Sequence, residues 1–139
     1  MIGIALDAGS SRAGKAFSSL MKNLNDHLHS VLLRDYSLQG VEEIVFTLRV
    51  SGDVADFGFE GCDRLRERKG RMTMDIGIPI EAWDGAGVSM RAALLVEHVK
   101  EAVTLCAGRI RNERRSGNVD RFESDAHQAL EEFQHELKV

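Results

Sequence analysis

Between Glu42 and Ala82 the chain alternates apolar and polar residues with a period of two, the pattern of strands that bury one face and wet the other. Ile44, Phe46, Leu48 and Val50 form the apolar side of a first run, with Glu43, Thr47, Arg49 and Ser51 among the residues between them. Phe57 and Phe59 continue that side in a second run, and Met72, Met74, Ile76, Ile78 and Ile80 make a third. Gly52-Asp53 and Lys69-Gly70 supply the intervening turns. Pro79 sits where an edge position or a strand end tolerates its missing donor.

Outside this region the period changes. Ile2, Ile4 and Leu6 alternate as a short first strand, and Asp7 to Gly14 supplies glycines and serines for a turn. Phe17, Leu20, Met21, Leu24, Leu28, Val31 and Leu32 then recur at three and four residue steps, predicting a helix capped by Ser10 or Ser11 and bounded by Gly40. After a turn at Trp83 to Gly87, Ser89 can cap a second helix whose stripe is Leu94, Leu95, Val99, Ala102, Val103, Cys106 and Ile110, stopped at Gly117-Asn118. Asp120 as N-cap with Glu123 three residues later opens a third, carrying Phe122, Ala126, Ala129, Leu130, Phe133 and Leu137. The order β-α-β-β-β-α-α predicts one α+β domain over residues 1–139. It is a two-layer sandwich in which three helices cover one face of an antiparallel sheet of about four strands.

A 139-residue chain buries enough surface to fold without disulfide or metal, and Cys62 and Cys106 are expected to stay reduced. No apolar run reaches bilayer length and no leader pattern opens the chain, so a cytoplasmic protein without membrane contact is expected. The net charge of −4 divides unevenly. Acidic residues dominate from Asp120 onward, whereas Arg64, Arg66, Arg68, Lys69 and Arg71 make one basic cluster and Arg109, Arg111, Arg114 and Arg115 another. An acidic whole disfavours general nucleic-acid binding, and no aromatic residue is interleaved in the first basic cluster for base stacking. An RNA-binding module using Arg64 to Arg71 is therefore an alternative, not the leading reading.

Gly9 to Lys15 fits the phosphate-loop pattern G-x-x-x-x-G-K between a strand and a helix. Ala16 stands where Ser or Thr would ligate magnesium, and no apolar strand ending in Asp supplies the second metal contact. A small nucleotide-binding enzyme with a degenerate phosphate loop is thus a second alternative. Leu6 to Ser11 also resembles the phosphate loop of actin-like ATPases, which enclose their nucleotide between two domains. His127, Glu131 and His135 recur at four-residue steps, but a solvated helix flank is the simpler account, since zinc sites usually gather ligands from separate elements. His27 and His29 point apart on their helix. No nucleophile elbow is present, Cys62 and Cys106 read as packing residues, and neither a catalytic set nor a cofactor site emerges.

A complete fold without a catalytic set points to a binding protein. The meander Ile44 to Val50, Asp56 to Gly61 and Met72 to Ile78, with the helical second half, resembles the small immunity proteins that bacteria pair with polymorphic or contact-dependent growth-inhibition toxins. The resemblance implies a cytoplasmic protein that neutralises a cognate toxin domain, such as a nuclease, by stoichiometric contact. An acidic surface would complement a basic toxin cleft. Two acidic surfaces qualify: the carboxylates Glu42, Glu43, Asp53, Asp56 and Glu60, and the third helix with Asp120, Glu123, Asp125, Glu131, Glu132 and Glu136. The third helix is preferred, with Trp83 and Asp84 in the turn before the second helix as a further contact; Trp83 reads first as a core-edge residue and, if exposed, would be an anchor.

Overall fold

The computed structural model describes residues 3–7, 14–31, 41–51, 65–114 and 118–137. The protein is mixed α/β, in the order β1 (Gly3–Asp7), α1 (Gly14–Val31), β2 (Glu43–Ser51), β3 (Leu65–Arg68), β4 (Arg71–Pro79), α2 (Ile80–Asp84), α3 (Val88–Arg114) and α4 (Val119–Leu137). The strands form one sheet in the order β1-β2-β4-β3.

The expected antiparallel sheet is corrected here. β1 runs parallel to β2, and β2 parallel to β4; only β3 and β4 pair antiparallel. Alternation reports which face a residue occupies and says nothing about strand direction. Parallel strands hide this ambiguity less often, because helices usually cover both of their faces and the sequence reads as a continuous apolar run. The links decide the matter. α1 lies between β1 and β2, and residues 52–70 separate β2 from β4, so both connections are long enough for the crossover that parallel neighbours need. Phe57, Phe59, Cys62, Gly40, the Gly52-Asp53 turn and the caps Ser10 and Ser11 lie outside the described residues.

The Lys69-Gly70 turn forms as expected and closes the β3–β4 hairpin. Both residues have positive φ, 51° and 80°, the mirror-image geometry that matches the twist of two-residue hairpins. Pro79 ends β4, beyond the four residues of β4 that β3 reaches, so its missing N–H breaks no ladder bond to β3.

In register, Ile44 lies beside Met72 and Phe46 beside Met74, and all four are buried together with Ile76 and Ile78. The buried side chains of all four helices join these residues in a single cluster. α1 contributes Leu20, Met21, Leu24 and Leu28, one face of an amphipathic helix. α3 contributes a wider stripe in which Ala92, Ala102, Cys106 and Ala107 keep the backbone close to its neighbours. It packs on β4 with one flank and on α4 with another, while α1 packs on β1 and α4 bridges α1 to α3.

Two helix starts differ from expectation. Ser89 lies inside the first turn of α3 and is exposed; the carbonyl of Gly87 accepts from the Arg91 N–H at 2.9 Å instead. At α4 the carbonyl of Asn118 accepts from the Phe122 N–H at 2.9 Å, so the cap is Asn118 and Asp120 belongs to the first turn. Asp120 is drawn away from capping by a cation on α3, described below. α2, a single turn directly after Pro79, replaces part of the expected loop.

Phe122 is fully buried, so Phe122→Ala should lower unfolding free energy by about 3–5 kcal/mol. His27 makes the opposite case: its ring lies 5.7 Å from that of Phe133, and its buried Nε2 has no hydrogen-bond partner among the described residues. His27→Leu should raise stability by about 1 kcal/mol by removing an unsatisfied polar atom. Urea denaturation of the two variants checks both signs.

Candidate functional site

The acidic residues of α4 do not form a free surface. As α3 is followed back from Arg111 to Thr104 and Lys100, α4 advances from Asp120 to His127 and Glu131, so the two helices are joined antiparallel by a row of polar contacts. Arg111 donates from Nε and Nη2 to Asp120 Oδ1, at 2.9 and 2.6 Å, and from Nη2 to Glu123 Oε1 at 3.2 Å. The hydrogen bond from Arg111 to Asp120 and then that to Glu123 raise the guanidinium pKa above its ordinary value. Lys100 Nζ donates to Glu131 Oε1 at 2.9 Å, and this bond, with the lysine's charge, holds the Glu131 carboxyl below its ordinary range. Asp125 pairs with Arg121 on its own helix, and Gln128 donates to Glu132. Glu136 is exposed.

His127 Nε2 lies 3.1 Å from the Lys100 carbonyl and 3.0 Å from Thr104 Oγ1. A carbonyl only accepts, so Nε2 carries the proton and His127 donates. Thr104 Oγ1 in turn donates to the same carbonyl at 3.1 Å. A histidine beside a hydroxyl resembles a nucleophile and its base, but a donating Nε2 cannot take the hydroxyl proton. The pair is a latch between helices. His127 and Glu131 are thereby both committed to α3, and among the described residues no group of three metal-ligating side chains gathers.

Trp83 is corrected as a candidate binding anchor: it is 1% exposed and belongs to the core. β4 passes straight into α2, and the single turn of helix rotates the indole inward. Arg91, from α3, folds back to donate from Nε to the Trp83 carbonyl at 2.9 Å, and its guanidinium carbon stands 5.1 Å from the ring centroid. Gly85 completes the corner, where a Cβ would come within 3.3 Å of the Glu81 carbonyl oxygen. On the solvent side stand Glu81 and Asp84, both exposed, with Val88 at 75% and Met90 at 59% exposure. These two are the exposed large hydrophobic residues among those described, and sequence periodicity missed them because the expected helix stripe begins only at Leu94.

The parallel strands β1, β2 and β4 end at Asp7, Ser51 and Pro79, on one side of the sheet. α1 starts at Gly14 and the α2–α3 corner follows Pro79, so both lie toward that side, where open α/β sheets usually bind ligands. Of the phosphate-loop pattern, Gly14 and Lys15 open α1, and residues 9–13 lie outside the described residues. Among the described residues no helix is long and apolar enough to cross a membrane. No family model, curated protein or solved structure matches this chain.

Because Glu131 has a depressed pKa, its contribution to stability is complete above the ordinary carboxyl value of 4.5 and is lost as pH falls through the lower folded value. Glu131→Gln should therefore unfold at lower urea than the parent at pH 7. The two midpoints should converge as the pH drops well below 4.5.

Proposed function

We propose that the protein is an immunity-type inhibitor, a cytoplasmic domain that neutralises a cognate bacterial toxin domain by stoichiometric contact. In this reading the helices form one layer over the sheet, and the contact is the α2–α3 corner. The observation that carries it is the exposure of Val88 and Met90 beside the carboxylates of Glu81 and Asp84, on a corner fixed from beneath by Trp83 and Arg91. An apolar pair with an acidic rim, held rigid before binding, suits an apolar depression in a basic cleft. The acidic face of α4 is the weaker surface for this role, since Asp120, Glu123, Asp125 and Glu131 are already paired. Glu132 and Glu136 extend the exposed acid on that helix.

A second reading is favoured by one observation. β1 and β2 are parallel, with α1 between them in sequence, and strand, glycine-rich turn and helix in a parallel sheet is the setting in which phosphate loops work. Here Lys15 would reach the phosphates of a nucleotide, without the magnesium hydroxyl that Ala16 cannot provide.

The readings separate by mutation. For the inhibitor, the toxin partner is identified by co-purification from the native host and by suppression of its toxicity. Val88→Ser with Met90→Ser should then weaken the complex at least tenfold, about 1.4 kcal/mol, without moving the urea midpoint. Asp84→Lys should slow association most at low salt. Parent-like affinity in both variants, or failure of the chain to protect cells, would exclude this reading. In the nucleotide reading, calorimetry should detect nucleotide binding that Lys15→Ala abolishes.

A further inference from the structure

Among the described methionines, burial separates one from the rest. Met21 is 3% exposed, Met72 0% and Met74 2%, and all three belong to the core, whereas Met90 is 59% exposed. Met1 lies outside the described residues. The surroundings in the chain sharpen the contrast. Val88 and Ser89 are exposed as well, and a Cβ added at Gly87 would meet nothing within 4 Å. Met90 thus carries a thioether into solvent at the first turn of α3.

A thioether reacts with a hydroperoxide when the two can meet. A sulfur lone pair attacks the terminal peroxide oxygen, an S–O bond forms as the O–O bond breaks, and sulfur gives up two electrons. With hydrogen peroxide the departing hydroxide takes the proton from the new S–OH group and leaves as water, so that the product is the sulfoxide. Charge develops on sulfur and on the leaving oxygen, and solvent must reach both. A close-packed interior admits neither oxidant nor water. The sulfurs of Met21, Met72 and Met74 are shielded in that way, as is that of Cys106 at 0% exposure. A sulfoxide in the core would disrupt packing, but at Met90 it adds a polar oxygen to a side chain already in water. The bond that holds the corner, from Arg91 Nε to the Trp83 carbonyl, is made without the sulfur.

We infer that Met90 is a reversible oxidation site for hydroperoxides and that its sulfoxide switches off the apolar contact of the α2–α3 corner. The switch rests on the inhibitor reading, in which Val88 and Met90 are the apolar pair of the contact; the selectivity of oxidation does not. Oxidation leaves Val88 as the unmodified member of that pair, and burying the S=O group against an apolar partner removes its water without supplying a hydrogen bond. Reduction runs through a methionine sulfoxide reductase and thiols: the sulfoxide oxygen leaves as water, two thiols become a disulfide, and the methionine sulfur regains its two electrons.

The test is limited hydrogen peroxide treatment of the full chain, read residue by residue by peptide mass spectrometry. Met90 should be converted to its sulfoxide while Met21, Met72 and Met74 remain thioethers, and the urea midpoint should not move. Retention on a phenyl column should fall, and Met90→Leu should lose most of that fall. Against the toxin partner, the oxidised chain should bind about tenfold more weakly. Sulfoxide reductase with thiol should restore the affinity, and Met90→Leu, whatever its starting affinity, should not respond to peroxide. Oxidation of a buried methionine at the same dose, a lower urea midpoint once Met90 is converted, or unchanged retention would overturn the inference without any partner. A partner bound equally well by the oxidised chain would overturn the switch and leave the inhibitor reading standing. Absence of any partner would remove that reading and the switch with it, while the mass spectra would still decide the oxidation site.

Discussion

The parallel ladder between β2 and β4 is the constraint on which the remaining structure depends. Its register runs from Glu43 beside Arg71 to Ser51 beside Pro79, and it places Ile44, Phe46, Met72 and Met74 in adjoining rows of the core. β1 extends the sheet beyond β2 and β3 beyond β4, so both outer strands take their position from this central pair. α1 and α3 rest on β1 and β4 respectively, and α4 spans them. A slip of one residue would exchange the faces of the slipped strand, carrying Arg71 toward the core and Met72 toward water. Burial of the methionine and isoleucine rows forbids that, and the Glu43–Arg71 pair adds the matching contact at the wet end.

From this frame follows the pairing of charge between two helices: cations of α3 meet carboxylates of α4. Arg111 fastens the start of α4, His127 and Thr104 share the Lys100 carbonyl midway, and Lys100 reaches Glu131 one turn later. Such exposed contacts each contribute modestly; burial of Phe122, Ala126, Leu130 and Phe133 dominates the docking of α4, and the polar row orients it.

The α2–α3 corner illustrates how burial and exposure are coupled in this fold. Turning Trp83 inward requires a helical turn immediately after Pro79, and the chain must then reverse through Gly85 and Gly87 before α3 begins. That reversal lifts Val88 and Met90 clear of the core even though their side chains are apolar. Arg91, one residue later, is bent back onto the indole and stiffens the reversal. The result is a pair of exposed apolar residues shortly after the end of β4 at Pro79.

Much of the architecture is written in local pattern. The strands β1, β2 and β4, the helices α1, α3 and α4, and the Lys69-Gly70 turn follow from periodicity and turn chemistry, since each depends on residues within a few positions of one another. Strand direction does not. Ile44, Phe46, Met72 and Met74 alternate identically in either orientation, and only packing of the long connections chooses parallel pairing. The same limit applies to charge. Six acidic residues from Asp120 to Glu136 read as an open surface in one dimension, because Arg111 and Lys100 approach them only when α3 and α4 fold together. The burial of Trp83 and the exposure of Val88 and Met90 have a related reason: hydrophobicity is a property of a side chain, but exposure is decided by the path of the backbone through a corner. Sequence alone thus determined β1, β2, β4, α1, α3 and α4 and the faces they bury, while tertiary structure decided strand direction, the extra turn of α2, the pairing of charges and which apolar side chains stay exposed.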